Sequence, residues 1–192
     1  MGLRNPHVEK VTYQHPAGYD RGAVRLVVYL FRRPDDKKNA GRRSAWATVP
    51  EGRRLGDART FIRAANARTR GLRKDARGRG KDLSKNKAPW CTSFVNVVLS
   101  PANRERLSDG DFVRLAAPWV RDADGAELPH VGAVHREGNG KAHLHLGIVR
   151  DKFSRDELKG LKQETDALAT GLELRRDELT IDREEISYGL EL

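Results

Sequence analysis

The sequence predicts an α/β domain of the α+β kind, built on a central antiparallel sheet with helices mainly on one face. Three observations carry that expectation. Two apolar runs, Val131-Gly-Ala-Val134 and Leu144-His-Leu-Gly-Ile-Val149, flank a loop containing Gly138-Asn139-Gly140, which is a hairpin signal. The run from Trp90 to Leu99 is rich in β-branched and aromatic residues and stops at Ser100-Pro101. Helical patterns opening at Asp57, Ser108 and Ser154 lie between and after these strands.

Taken in order, residues 1–19 are mixed, with Val8 to Tyr13 a candidate first strand. Arg21 to Arg33 is densely apolar; its β-branched content argues strand, its length argues helix, and periodicity leaves both open. Pro34-Asp-Asp ends it, and 35–56 reads as a basic loop in which Ser44 to Val49 is the one ordered-looking island. Asp57 suits a helix N-cap, with Ala58, Phe61, Ile62, Ala65 and Leu72 following to about Lys74. The Gly-spaced basic stretch from Arg77 to Lys87 cannot bury a core. Ser108 to Val120 carries Phe112, Leu115, Ala116 and Trp119 at helical spacing, and Asp124-Gly125 turns the chain into the strand ending at His135. Ser154-Arg-Asp-Glu157 is a capping box for a helix through Ala169, closed by Gly171. These elements predict one domain over 1–174 with a basic mobile segment at 73–89, and 175–192 as a C-terminal extension or final element.

Composition narrows the function. With 192 residues there is room for one respectable core. The chain has no apolar run long enough to span a bilayer, so no membrane insertion is expected. The start lacks the apolar core of a secretory signal, and a single cysteine, Cys91, excludes an intrachain disulfide framework; both fit a cytoplasmic protein. The net charge of +10 is uneven: Arg32 to Lys87 holds nineteen Lys and Arg against six Asp and Glu, a local +13, leaving −3 for the rest. A basic segment beside a nearly neutral remainder is the footprint of a polyanion binder, and its arginines suit phosphate. A solubilising surface is the plainer alternative.

The hairpin carries the sharpest chemistry. His143 and His145 share one strand face, and His135 joins them if the loop pairs 135 with 143. A His-x-His pair alone is often just polar surface. Here three of the six histidines fall within eleven residues, which favours a divalent-metal site with coordination positions left open.

The order of these pieces resembles the relaxases of the HUH (histidine-hydrophobe-histidine) endonuclease superfamily, most like plasmid-mobilisation and T-DNA-transfer domains. The resemblance rests on Val28-Tyr29-Leu30-Phe31-Arg32, on Thr92 to Pro101, and on His135 with His143-Leu-His145-Leu-Gly-Ile-Val149, and covers roughly residues 20–170. Two positions depart from the family pattern: Glu137 stands where an Asp is usual, and Ala142 where a Pro precedes the His pair. The hairpin loop is also one residue longer than usual.

The resemblance implies metal-dependent nicking and rejoining of single-stranded DNA at an origin of transfer. Tyr29 would be the nucleophile, leaving a 5′-phosphotyrosine, and His135, His143 and His145 would hold Mn²⁺ or Mg²⁺, with Zn²⁺ also allowed. It implies relaxosome accessory proteins and a secretion coupling protein as further partners. Arg32, Arg33, Arg53, Arg54, Arg63 and Arg68 would hold the strand, together with Arg70, Arg73, Lys74, Arg77, Arg79 and Lys81. Trp46 or Trp90 could stack on bases. Tyr13 and Tyr19 are alternative nucleophiles, and the rival readings are a replication initiator of the same superfamily using Tyr188, a hydrolytic nuclease using metal-bound water, and a non-catalytic single-strand-binding module.

Overall fold

The computed structural model describes residues 8–14, 22–30, 55–81, 92–101, 107–136 and 142–189, with the backbone alone for 8, 9 and 173–189. Four strands, β1 (Val8–Gln14), β2 (Phe94–Leu99), β3 (His130–Arg136) and β4 (Ala142–Ile148), form an antiparallel sheet in the order β1-β2-β4-β3. Among the described residues four helices accompany it: α1 (Gly22–Leu30), α2 (Ala58–Gly78), α3 (Asp109–Ala116) and α4 (Arg155–Gly189). The fold is thus α+β. Among the described residues no helix is long and apolar enough to cross a membrane.

Side-chain alternation sorts the strands into two faces. On one face Val95, Val97, Leu99, Val134, Leu144, Leu146 and Ile148 form a core with Phe112, Leu115 and Trp119 from α3 and its following turn, and with Ala169 and Leu172 from α4. On the other face Phe94, Val131 and Ala133 pack with Ala23 and Leu30 of α1 and Phe61 and Ala65 of α2. The helices therefore divide between the faces instead of gathering mainly on one. The reason is visible in β3, where all residues from His130 to His135 are buried. A strand apolar on both sides needs cover on both sides.

The ambiguous segment at Arg21 to Arg33 is a helix over Gly22–Leu30. Its buried Ala23 and Leu30 and half-buried Leu26 and Val27 recur at helical spacing, and packing on α2 and the sheet outweighs the strand preference of Val24, Val27 and Val28. Gly147 makes this packing possible. A Cβ there would meet Leu26 Cδ2 at 2.6 Å and Phe61 Cζ at 3.0 Å, so its bare backbone lets both α1 and α2 settle onto the sheet.

Helix α2 starts as expected, with Asp57 Oδ1 accepting from the Thr60 N–H at 2.7 Å, a bond that holds the carboxyl below its ordinary value. It runs past Lys74 to Gly78, so Arg73, Lys74 and Arg77, expected in a mobile segment, are helical. Arg68 ties its middle to the sheet, donating to the Thr92 carbonyl at 2.7 Å and pairing with Asp151. Helix α3 opens with a full capping box between Ser108 and Asp111. Its helical residues end at Ala116, and turns carry the chain through Trp119 and Val120.

The Ser154–Glu157 box opens α4, but Gly171 does not close it. The positive φ of a terminating glycine occurs at Gly56, Gly80 and Gly125 and not at Gly171, and the helix continues to Gly189 across the expected boundary at 174. Leu-Glu-Leu-Arg-Arg after Gly171 are good helix formers, and one interior glycine costs only about 1 kcal/mol. Trp119 Nε1 anchors α4 by donating to Thr165 Oγ1 at 2.8 Å. Ser44 to Val49, Trp46, Trp90 and Cys91 lie outside the described residues.

Gly56 pins the start of α2 against β3, bridging Val131 at φ 72°, while Leu55 O accepts from Gly132 N at 3.0 Å. A Cβ at position 56 would sit 2.0 Å from the His130 carbonyl oxygen, backbone that cannot move aside. Gly56→Ala should lower unfolding stability by about 2–4 kcal/mol, from the left-handed penalty plus overpacking, as read by urea denaturation. A change below about 0.5 kcal/mol would refute this account of the glycine.

Candidate metal centre

The three histidines converge because of the register between β3 and β4. His135 lies directly opposite His143, and Ala133 opposite His145. All three imidazoles thereby project from one face, the face covered by α1 and α2. Behind them Leu144 and Leu146 are fully buried in the opposite core, which fixes the strand against rotation. Arg136, the next residue after His135, donates to the Leu107 carbonyl at 2.9 Å and pairs with Asp109 at 2.7 Å, tying this end of β3 to the start of α3.

Ring centroids are 5.4 Å apart for His135–His143, 4.7 Å for His135–His145 and 5.0 Å for His143–His145. One ring nitrogen from each lies within 4.8 Å of the others, so the group could hold a metal ion. His135 is 1% exposed, while His143 and His145 are half-buried, which leaves one side of the cluster open. The donor set fits a catalytic type of metal site: three protein ligands, with positions left for an outside ligand. Among the described residues this cluster includes no carboxylate. Three neutral imidazoles would leave the charge of a divalent ion uncompensated, and that favours an anionic ligand at the open positions.

Tyr29, from the last turn of α1, stands over this opening. Its ring makes edge contacts with His135 at 5.4 Å and His145 at 5.3 Å, and its hydroxyl lies 3.5 Å from His145 Nε2. At 36% exposure it is reachable from solvent. Tyr13 is elsewhere: it pairs with Val95 on the opposite face, beside Lys152, and burial raises its hydroxyl pKa, partly opposed by Arg150. Tyr19 lies outside the described residues, and Tyr188 is in the part of α4 described by backbone alone.

The basic residues fall into four groups. Arg63, Arg70, Lys74 and Arg77 are exposed on α2 and, at 100° per residue, share one strip about 60° wide opposite Phe61, Ala65 and Ala76. Arg59 begins the same strip, giving it a length of about 27 Å; sequence reasoning missed it, although the helix period counted from Asp57 includes it. Arg73 is half-buried at the strip's edge, and it lines a shallow concavity with Arg70, Lys74 and Arg77. Arg79 and Lys81 are exposed just past the helix end. Arg68 points the other way, into its contacts with Thr92 and Asp151. Arg32, Arg33, Arg53 and Arg54 lie outside the described residues.

Replacing a ligand should remove the site without removing the fold. His143→Ala should weaken Mn²⁺ or Zn²⁺ binding by more than the roughly 10–100-fold typical of losing a mere supporting contact, by calorimetry, with the circular dichroism spectrum retained. Undiminished affinity would mean the three rings do not act as a ligand set. Comparison with known proteins gives no further guide, since no protein-family model and no curated protein matches the sequence.

Proposed function

We propose that the protein is a metal-dependent, single-strand DNA nicking and joining enzyme of relaxase type, acting at an origin of transfer, with Tyr29 as nucleophile. The observation that carries this reading is the tyrosine hydroxyl 3.5 Å from a ring nitrogen of the three-histidine cluster. Tyr29 is 36% exposed and stands at the cluster's open side.

The chemistry follows from the groups present. A phosphodiester seated at the cluster would present its phosphorus to the Tyr29 oxygen. The Tyr29 O–P bond forms as the bond to the 3′-oxygen breaks, the phenolic proton leaves to solvent, and the departing 3′-oxygen takes one up. One phosphate diester replaces another, so the step is nearly balanced in free energy and can be reversed to rejoin the strand. A bound divalent ion would polarise the phosphoryl oxygens. Three imidazoles suit Zn²⁺ or Mn²⁺ better than Mg²⁺, which prefers an all-oxygen shell. His135, being buried and clamped through Arg136, fixes the position of the cluster; His143 and His145 complete it at the open side. The α2 strip supplies sequence-independent attraction for the phosphate backbone.

The decisive experiment is a covalent-adduct assay with labelled single strands from the protein's own transfer origin and Mn²⁺. The wild-type protein should give a denaturation-resistant shifted band, lost in Tyr29→Phe; in His143→Ala cleavage should disappear while strand binding persists. Cleavage without adduct would identify a hydrolytic nuclease, and neither cleavage nor adduct a binding module. Adduct lost only with Tyr188→Phe would identify the initiator arrangement.

Replacing Arg70, Arg73, Lys74 and Arg77 together by Ala should flatten the salt dependence of single-strand binding by up to about 3 logarithmic units per decade, at roughly 0.7 per phosphate contact. An unchanged slope would remove the strip from the interface.

A further inference from the structure

Four rings, not three, surround the opening of the histidine cluster. Tyr29 stands 5.4 Å from His135 and 5.3 Å from His145, no farther than His135 stands from His143 at 5.4 Å. Its hydroxyl oxygen lies 3.5 Å from His145 Nε2. That is long for a hydrogen bond, where the donor and acceptor are usually about 2.7–3.2 Å apart. It matches instead the edge of a coordination tetrahedron. With bonds of about 2.0–2.2 Å to nitrogen and oxygen, two ligand atoms of a four-coordinate Zn²⁺ lie about 3.3–3.6 Å from each other.

The packing of α1 sets this placement. Leu26 sits against Gly147 and Leu30 is 2% exposed, so the helix is seated on both sides of Tyr29 in the chain while the tyrosine itself stays 36% exposed. The oxygen is also a fitting donor. Among the described residues the cluster includes no carboxylate, and three neutral imidazoles leave the double charge of a divalent ion uncompensated. A phenolate, its proton given up to solvent, adds one negative charge and completes a set of three nitrogens and one oxygen.

We propose that Tyr29 Oη is the fourth ligand of the metal when no nucleic acid is bound, closing the position that a phosphodiester later takes. The proposal rests on reading the three histidines as a metal centre and Tyr29 as the residue that meets the phosphate there. Strand entry then exchanges one anionic oxygen for another and leaves the released Tyr29 oxygen beside the phosphorus. A ligand tethered to the same domain acts at an effective concentration on the order of millimolar. Free phosphate at micromolar concentration leaves it in place, whereas a strand held along α2 is itself tethered and competes on like terms. The ring keeps the centre closed to small anions until a strand arrives.

Copper reports the bond directly, because a phenolate on Cu²⁺ gives a visible charge-transfer band that imidazole ligands lack. Copper-loaded wild-type protein should show the band. Tyr29→Phe should lose it while still binding copper, and Tyr13→Phe, on the opposite face of the sheet, should keep it. Each substitution removes one oxygen from a ring that is not fully buried, and an unchanged circular dichroism spectrum verifies the fold. Micromolar oligothymidylate should bleach the band as it binds, with binding followed by fluorescence anisotropy, and inorganic phosphate at the same concentration should not. No band in the copper-loaded wild type, or an equal band in Tyr29→Phe, would overturn the assignment. So would a band that persists with the strand bound, or one that phosphate bleaches equally. The expected band behaviour in a protein that forms no adduct with its own origin strand would overturn the nicking mechanism and leave the ligand assignment standing. Failure to bind any divalent ion would overturn both.

Discussion

The pairing of His135 with His143 is the constraint on which the rest of the site depends. Side chains on a strand alternate with period two, so sliding β3 against β4 by one residue would separate the rings and drive them against Leu144 and Leu146. Burial prevents that slip. Leu144, Leu146 and Ile148 are fully buried on the opposite face, and β3 is buried throughout His130–His135. The apolar residues that stabilise the sheet are interleaved one-for-one with the histidines, so the core that holds the fold also sets the geometry of the cluster. The loop between the strands need only be long enough to reverse the chain.

The second determinant is how closely α1 approaches. Tyr29 reaches the imidazoles because the sheet offers backbone where α1 and α2 cross it. His145 is followed two residues later by Gly147, on the same face, and Leu26 and Phe61 occupy the space its side chain would take. A larger residue there would lift the helix carrying the tyrosine. Val28 and Val24, 55% and 38% exposed, are the outward counterparts of this packing. Among the described residues the helix packs through Ala23, Leu26, Val27 and Leu30.

Much of this arrangement was legible in the sequence. Strong local signals survive translation into three dimensions: the Asp57 cap, the helix opening at Ser108, the Ser154 box, and the hairpin with its histidine register all reflect interactions among residues close in the chain. What the sequence could not supply are choices made by distant partners. Arg21–Arg33 could be strand or helix by its own composition, and packing on Phe61 and Gly147 decides for helix. Gly171 looks like a stop only if φ turns positive, and the helix-forming residues after it keep it helical. Arg68 is indistinguishable from its basic neighbours by type, yet the helix period turns it toward Thr92 and Asp151 while Arg63 and Arg70 face outward.

The electrostatics divide the labour between two surfaces. Among the described residues the histidine cluster includes no carboxylate, and a cation held by those three rings alone would keep its attraction for phosphate. The α2 strip carries fixed positive charge but no group able to do chemistry. Neither surface is sufficient alone: exposed arginines attract any polyanion, and an open three-ligand site holds one phosphate among many without regard to sequence. Selectivity has to come from a place where a wrong partner leaves a buried polar group unsatisfied, because that penalty differs between bases whereas attraction to phosphate does not.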